Sequence, residues 1–212
     1  MKNNIIFLDV DGVLNGYSVL STLGWNIACI FNFKEWYRKK TDPSGIHKNK
    51  VKILSKIVSK SNAKVVMTST WRDGYWKTPY NKMTDREKQL VDLLEEYNIE
   101  VIDITGHSKD NKRGKEILYW LSHNLDKVNN YVILDDESST LSYFFYRDKL
   151  VKTHRLVKFF NYNFDTCGLR KRNVKEAVKI IMSDYDINQY IKKDMNEKEI
   201  DYFYYNYYKH IY

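Results

Sequence analysis

Three short apolar runs, each closed by polar side chains, constrain the fold of this chain most. Ile5-Ile6-Phe7-Leu8 ends in Asp9, Val65-Val66-Met67 in Thr68-Ser69-Thr70, and Tyr131-Val132-Ile133-Leu134 in Asp135-Asp136. Runs this short, with no polar alternation, describe strands covered on both faces. Between them the apolar period lengthens. Val51, Leu54, Ile57 and Val58 predict an amphipathic helix over roughly 47–60. Leu90, Val91, Leu94 and Tyr97 predict another, begun by Thr84 as N-cap with Glu87 completing a capping box. Ile117, Leu118 and Leu121 give a short helix entered through Gly114, and a further helix is expected at about 172–182. Ile99 to Ile104 and Leu150-Val151 supply two more strands. Strands alternating with helices predict a three-layer α/β/α sandwich around a five-stranded, mostly parallel sheet.

A chain of 212 residues supports one domain with a full core. The domain is expected over 1–182, with an insertion at about 15–45 too short for more than a flap or small cover. An extension over 183–212 holds eight of the 18 tyrosines and reads as an element packed on the domain or on a second subunit of a homo-oligomer. Cys29 and Cys167 are isolated, which gives no disulfide framework. The apolar start is too short for a signal peptide and no run approaches a membrane span, so a cytoplasmic, soluble protein without a membrane partner is expected. The net charge of +8 favours an anionic partner, although the surplus of Lys, Asn, Ile and Tyr is equally what an AT-rich genome encodes.

Open α/β sheets carry their sites at the carboxyl ends of the strands, where Asp9-Val10-Asp11-Gly12, Thr68-Ser69 and Asp135-Asp136 converge. Carboxylates gathered there repel one another unless a hard cation sits among them, and Mg²⁺ with oxygen ligands suits such a set. The basic stretch Lys112-Arg113-Gly114-Lys115, just before a helix, suits a phosphoryl group.

These segments resemble the haloacid dehalogenase (HAD) superfamily. Phe7 to Leu14 is similar to its first motif, an apolar strand followed by DxDGxL, Val65 to Thr68 to its second, and Val132 to Asp136 to its fourth. Arg113 to Leu121, with Ser69-Thr70-Trp71-Arg72, resembles a small-cap subgroup whose members include domains of RNA-repair proteins. The likeness runs from about residue 3 to 182. It implies a Mg²⁺-dependent phosphatase with an aspartyl-phosphate intermediate. Asp9 is then the nucleophile, and Asp11 the acid and base that protonates the leaving oxygen and activates water. Gly12 lets the backbone turn beside the phosphate, Thr68 bonds a phosphoryl oxygen with Ser69 as second candidate, and Arg113 or Lys112 neutralises charge. Arg72 joins the phosphate-binding set. Mg²⁺ falls to Asp9, the Asp11 carbonyl and an acid of the fourth motif, Asp136 in preference to Asp135. The implied substrate is a phosphorylated small molecule, a nucleotide or a nucleic-acid end.

Plainer readings exist for each part. Thr68 and Ser69 can simply terminate a strand, the Lys112–Lys115 stretch can be a solvated helix start, and one of Asp135 and Asp136 can be a cap. The glycine of DxDG falls too early for an EF-hand, Gly114-Lys115 lacks the upstream glycine of a P-loop, and the histidines lack ligand spacing. The competing function is a non-catalytic binding or assembly module with a basic nucleic-acid-binding face, against which the intact Asp9 and Asp11 argue.

Overall fold

The computed structural model describes residues 2–15, 31, 45–136, 147–153, 168–189 and 191–206. Most of the expected cover over 15–45, both cysteines and the tyrosines from Tyr207 onward lie outside the described residues. Within them the order is β1 (Asn3–Leu8), α1 (Lys48–Ser61), β2 (Ala63–Met67), α2 (Arg72–Lys77), α3 (Asp85–Glu96), β3 (Val101–Ile104), α4 (Arg113–Asn124), β4 (Val128–Asp135), β5 (Leu150–Lys152), α5 (Lys171–Ile181) and α6 (Glu197–Asn206). The five strands form one sheet in the order β3-β2-β1-β4-β5, and every pairing is parallel.

The pleat explains why the strand runs are apolar without alternation. Ile6 and Leu8 of β1 point to one face, with Val65, Met67, Val132 and Leu134 beside them, into a core closed by α1, α3 and α5. Ile5 and Phe7 point to the other, with Val66, Tyr131 and Ile133, under α4. Each of these side chains is fully buried or nearly so, worth about 1.5–3 kcal/mol apiece. Phe7 stands edge-on to both Trp120 and Tyr131, with ring centroids 5.4 and 5.8 Å away. β3, at the sheet edge, is half-buried throughout, and Ile99 is buried just ahead of it.

Local chemistry sets the helix ends. The Thr84 hydroxyl accepts from Glu87 N while the Glu87 carboxylate accepts from Thr84 N at 2.7 Å, which completes the capping box and stabilises α3 by about 1 kcal/mol. α1 ends on Asn62 in the left-handed region (φ 48°), where an asparagine is tolerated. The segment after Ser183 belongs to the second core layer. Ile187, Ile191, Met195 and Ile200 are buried beneath α4, and the Lys115 ammonium bridges Asp110 at 2.7 Å and Asp201 of α6 at 2.6 Å.

The chain builds outward from β1 to β3, then crosses back to lay β4 and β5 on the other side. The connections therefore reverse direction beside β1, which opens a crevice at the carboxyl ends of β1 and β4.

Candidate active site at the carboxyl end of the sheet

The ladder continues one residue past β1 on both sides. Asp9 N donates to Leu134 O at 3.0 Å, and Thr68 N donates to Leu8 O at 2.9 Å. These bonds fix Asp9 and Thr68 as the next rung, so that the Asp9 side chain turns into the crevice beside Asp135, the last residue of β4. One oxygen each from Asp9, Asp135 and Asp136 lies within 4.8 Å of the others. Arg113, the first residue of α4, reaches over from the opposite layer. Its Nη1 is 2.6 Å from Asp135 Oδ2 and 3.4 Å from Asp9 Oδ2.

Burial pushes the Asp9 carboxyl up to about 7. The Arg113 charge works against that rise, and the charges of Asp135 and Asp136 add to it. The Ser69 hydroxyl lies against Asp9 and favours its charged form without completing an aligned hydrogen bond. For Arg113, burial disfavours the cation, but Asp9 and Asp135 more than offset this and raise its pKa. One guanidinium thus contacts two of the three clustered carboxylates, Asp9 and Asp135. The donor set fits a hard divalent cation: oxygen atoms only, close enough to share one ion, with surplus negative charge.

Gly12 is needed where it stands. Its φ is +70°, and a Cβ there would come within 2.3 Å of the Asp136 carboxyl group. The glycine therefore allows the turn after Asp9 and leaves room for Asp136. Gly12 O accepts from Thr153 Oγ1 at 2.6 Å, and Gly12 N donates to Asn15 Oδ1 at 2.8 Å. Asp11 is held at both oxygens, by Asn15 Nδ2 at 2.8 Å and by the Trp71 indole Nε1 at 3.1 Å. Its carboxylate is not in the three-acid cluster, which leaves it available to move a proton.

Thr68 and Ser69 have fully buried hydroxyls without a hydrogen-bond partner among the described residues. Buried polar atoms are nearly always satisfied, so two orphans beside a carboxylate cluster mark a place for oxygen-bearing ligand groups. Arg72 sits deeper. It is buried, its Nη1 donates to Thr68 O and pairs with Glu116 Oε2 at 3.1 Å, and its Nη2 meets His107 Nδ1 at 2.7 Å. Those contacts tie the end of β2 to α4, the helix that carries Arg113. Lys112 is the half-buried N-cap of α4, and its backbone N donates to Ser108 Oγ at 2.7 Å.

The structure thus brings together Asp9, Arg113, Asp135 and Asp136, with Thr68 and Ser69 beside them and Asp11 on the adjoining turn. Asn15, Trp71 and Thr153 hold that arrangement; Asn15 and Thr153 were not singled out from sequence, and Trp71 entered there only as part of the Ser69-Thr70-Trp71-Arg72 resemblance, with no role assigned. A signal existed for Asn15 and Thr153 too: Asn15 directly follows the DxDGVL stretch, and Thr153 is the polar residue just past β5.

A doubly wound parallel domain with an acid-lined switch point, a DxDG turn on its first strand and an arginine from the helix before β4 is a HAD-type domain. Residues 5–160 match the HAD domain in Swiss Army Knife RNA repair proteins, and the chain belongs to that family. No curated protein and no solved structure matches it.

Proposed function

We propose that the chain hydrolyses phosphate monoesters, with Asp9 as the nucleophile. The observation that carries this reading is the Asp9 carboxylate at the switch point, in reach of Arg113 and flanked by two unsatisfied buried hydroxyls. An Asp9 oxygen attacks phosphorus, the P–O bond to the leaving group breaks, and an acyl phosphate forms. Asp11, steadied by Asn15 and Trp71, gives its proton to the departing oxygen. It then takes one from the water that attacks the acyl phosphate, releasing inorganic phosphate and restoring Asp9. Arg113 offsets charge on Asp9 and on the phosphoryl oxygens, while Thr68 and Ser69 donate to those oxygens. Asp9, Asp135 and Asp136 would hold Mg²⁺, with the Asp11 carbonyl as a further ligand. When bound, the ion supplies positive charge to the phosphoryl group.

The substrate we propose is a phosphorylated nucleic-acid end. The family's RNA-repair membership and the +8 net charge support it. The test compares kcat/KM for an end-phosphorylated oligonucleotide, the matching mononucleotide and a hexose phosphate, each with and without Mg²⁺. The oligonucleotide is expected to be preferred, with Mg²⁺ required. A preference for the hexose phosphate would defeat the nucleic-acid reading, and no turnover of any ester would defeat the phosphatase reading.

A further inference from the structure

Two neighbouring helices of this protein are strongly basic. α1 contains five lysines and no acid, and α5 contains four cations with Glu176 as its one acid. These two helices together hold a formal charge equal to the +8 of the entire chain. They pack side by side, joined where the buried Lys50 ammonium donates to Leu169 O at 2.8 Å.

On their outer surface Lys52, Lys56 and Lys60 follow one another along α1, and Lys171, Lys175 and Lys179 along α5, with Arg172 alongside. Four-residue spacing sets successive members of each row about 6 Å apart along the helix axis. All seven are exposed, and none makes an ion pair among the described residues. The other layer differs. There Lys109 pairs with Glu197, Lys115 with Asp110 and Asp201, Lys192 with Glu199 and Lys193 with Asp126. Like charges at this spacing each cost a helix about 0.2–0.5 kcal/mol, so the fold itself gains nothing from the two rows.

The rows also have a direction. α1 begins where His47 N donates to Leu14 O, and the start of α5 is held by Leu169 N on Val13 O at 2.9 Å. Both anchors are on the turn that carries Asp11. At the far end, Asn4 Nδ2 donates to Ser61 O and Asn130 Nδ2 to Ile181 O, at the opposite edge of the sheet. The basic face therefore leads away from the candidate active site across the full depth of the domain.

We propose that the α1–α5 face binds the phosphate backbone of the single-stranded nucleic acid whose end enters the site. The choice of nucleic acid rests on the function proposed above, whereas the location rests on the charge distribution alone. The test separates the two by measuring binding without turnover. Fluorescence anisotropy follows a labelled single-stranded RNA of about 20 nucleotides on the full chain carrying Asp9→Asn, over a salt series. One variant adds Lys52→Gln, Lys56→Gln, Lys175→Gln and Lys179→Gln. A control of equal net charge adds Lys82→Gln, Lys127→Gln, Lys193→Gln and Lys198→Gln instead. Each lost phosphate contact lowers the slope of log K against log salt by about 0.7, so the first variant should lose about 2–3 from its slope while the control keeps it. Equal losses in both, or none in either, would overturn the assignment. So would retained RNA binding with lost binding of polyglutamate or anionic vesicles, since the face would then serve a different class of partner. Turnover of 4-nitrophenyl phosphate by the same surface variants with Asp9 intact reports separately on the phosphatase reading, and it should be unchanged.

Discussion

Replacing Arg72 by Met should destabilise the protein through Glu116. In the native chain the two side chains are only 4% and 5% exposed and stand 3.1 Å apart. Breaking such a pair from one side leaves a buried, uncompensated charge and costs about 3–5 kcal/mol. Glu116 keeps one donor, Ser108 N at 3.0 Å, which recovers about 1 kcal/mol and places the loss near the lower end, about 3 kcal/mol. For a chain of this size each kcal/mol lowers Tm by about 2–4 °C, so Arg72→Met should melt about 6–12 °C below wild type. Glu116→Leu should behave similarly from the other side. The double variant should recover most of either loss, because two apolar side chains replace the pair and neither charge is left behind. Thermal denaturation followed by circular dichroism measures all three. The reasoning is wrong if Arg72→Met shifts Tm by less than about 2 °C, or if the double variant loses the sum of the singles.

Trp71→Phe keeps an aromatic ring but removes the indole donor to Asp11 Oδ2. A hydrogen bond to a charged group is worth about 1.5–3 kcal/mol, so kcat for an alkyl phosphate should fall about 10- to 100-fold. Turnover of 4-nitrophenyl phosphate, whose leaving group needs little protonation, should fall far less, and equal losses on both esters would rule out a role through Asp11. Mg²⁺ should raise Tm by about 5–10 °C at a hundred times its Kd, and Asp136→Asn should shrink that rise; a wild type indifferent to Mg²⁺ contradicts the metal site. Lys149 is buried against the Tyr131 and Tyr185 rings, and burial lowers its pKa from 10.5 to about 8. The unfolded chain therefore binds more protons between those values, and stability should rise as pH goes from about 8 to 10.5. Lys149→Met should abolish that rise in pH-dependent denaturation, and an unaltered profile would refute the assignment.

Much of the fold was legible because its strands are buried on both faces. Ile5 to Leu8 and Tyr131 to Leu134 read as strands for the same reason that Ile6 and Leu134 enter one core and Ile5 and Ile133 the other. The capping box at Thr84 and Glu87 was legible because both partners lie within one helical turn. Asp9 and Asp135-Asp136 were legible as strand-end acids, since the sheet topology alone brings them together. The contacts made by Trp71 and Arg72 were not. Both leave the same strand end, and which one faces Asp11 and which one Glu116 depends on the rotation of α2, a helix of six residues. Packing of the extension was expected, but the particular burial of Ile187, Ile191, Met195 and Ile200 was not legible, because these apolar positions are widely spaced among charged ones and gain meaning only against α4. Composition registered the +8 charge without showing that two basic helices lie together, since only the packing of α1 on α5 sets their exposed cations side by side.

Chemical trapping at Asp9 tests the central claim most directly. An acyl phosphate is reduced by borohydride, which converts the aspartate that carried it to homoserine, a change visible in the mass of its peptide. Asp11→Asn protein should accumulate the intermediate, because the base that activates water is missing. Quenching it with borohydride during exposure to Mg²⁺ and 4-nitrophenyl phosphate, whose leaving group departs without the Asp11 proton, should place homoserine at residue 9 alone. Asp9→Asn protein treated alike should show none, and its turnover should fall at least about 10⁴-fold. Homoserine at any other position, or sustained turnover by Asp9→Asn, would contradict the account.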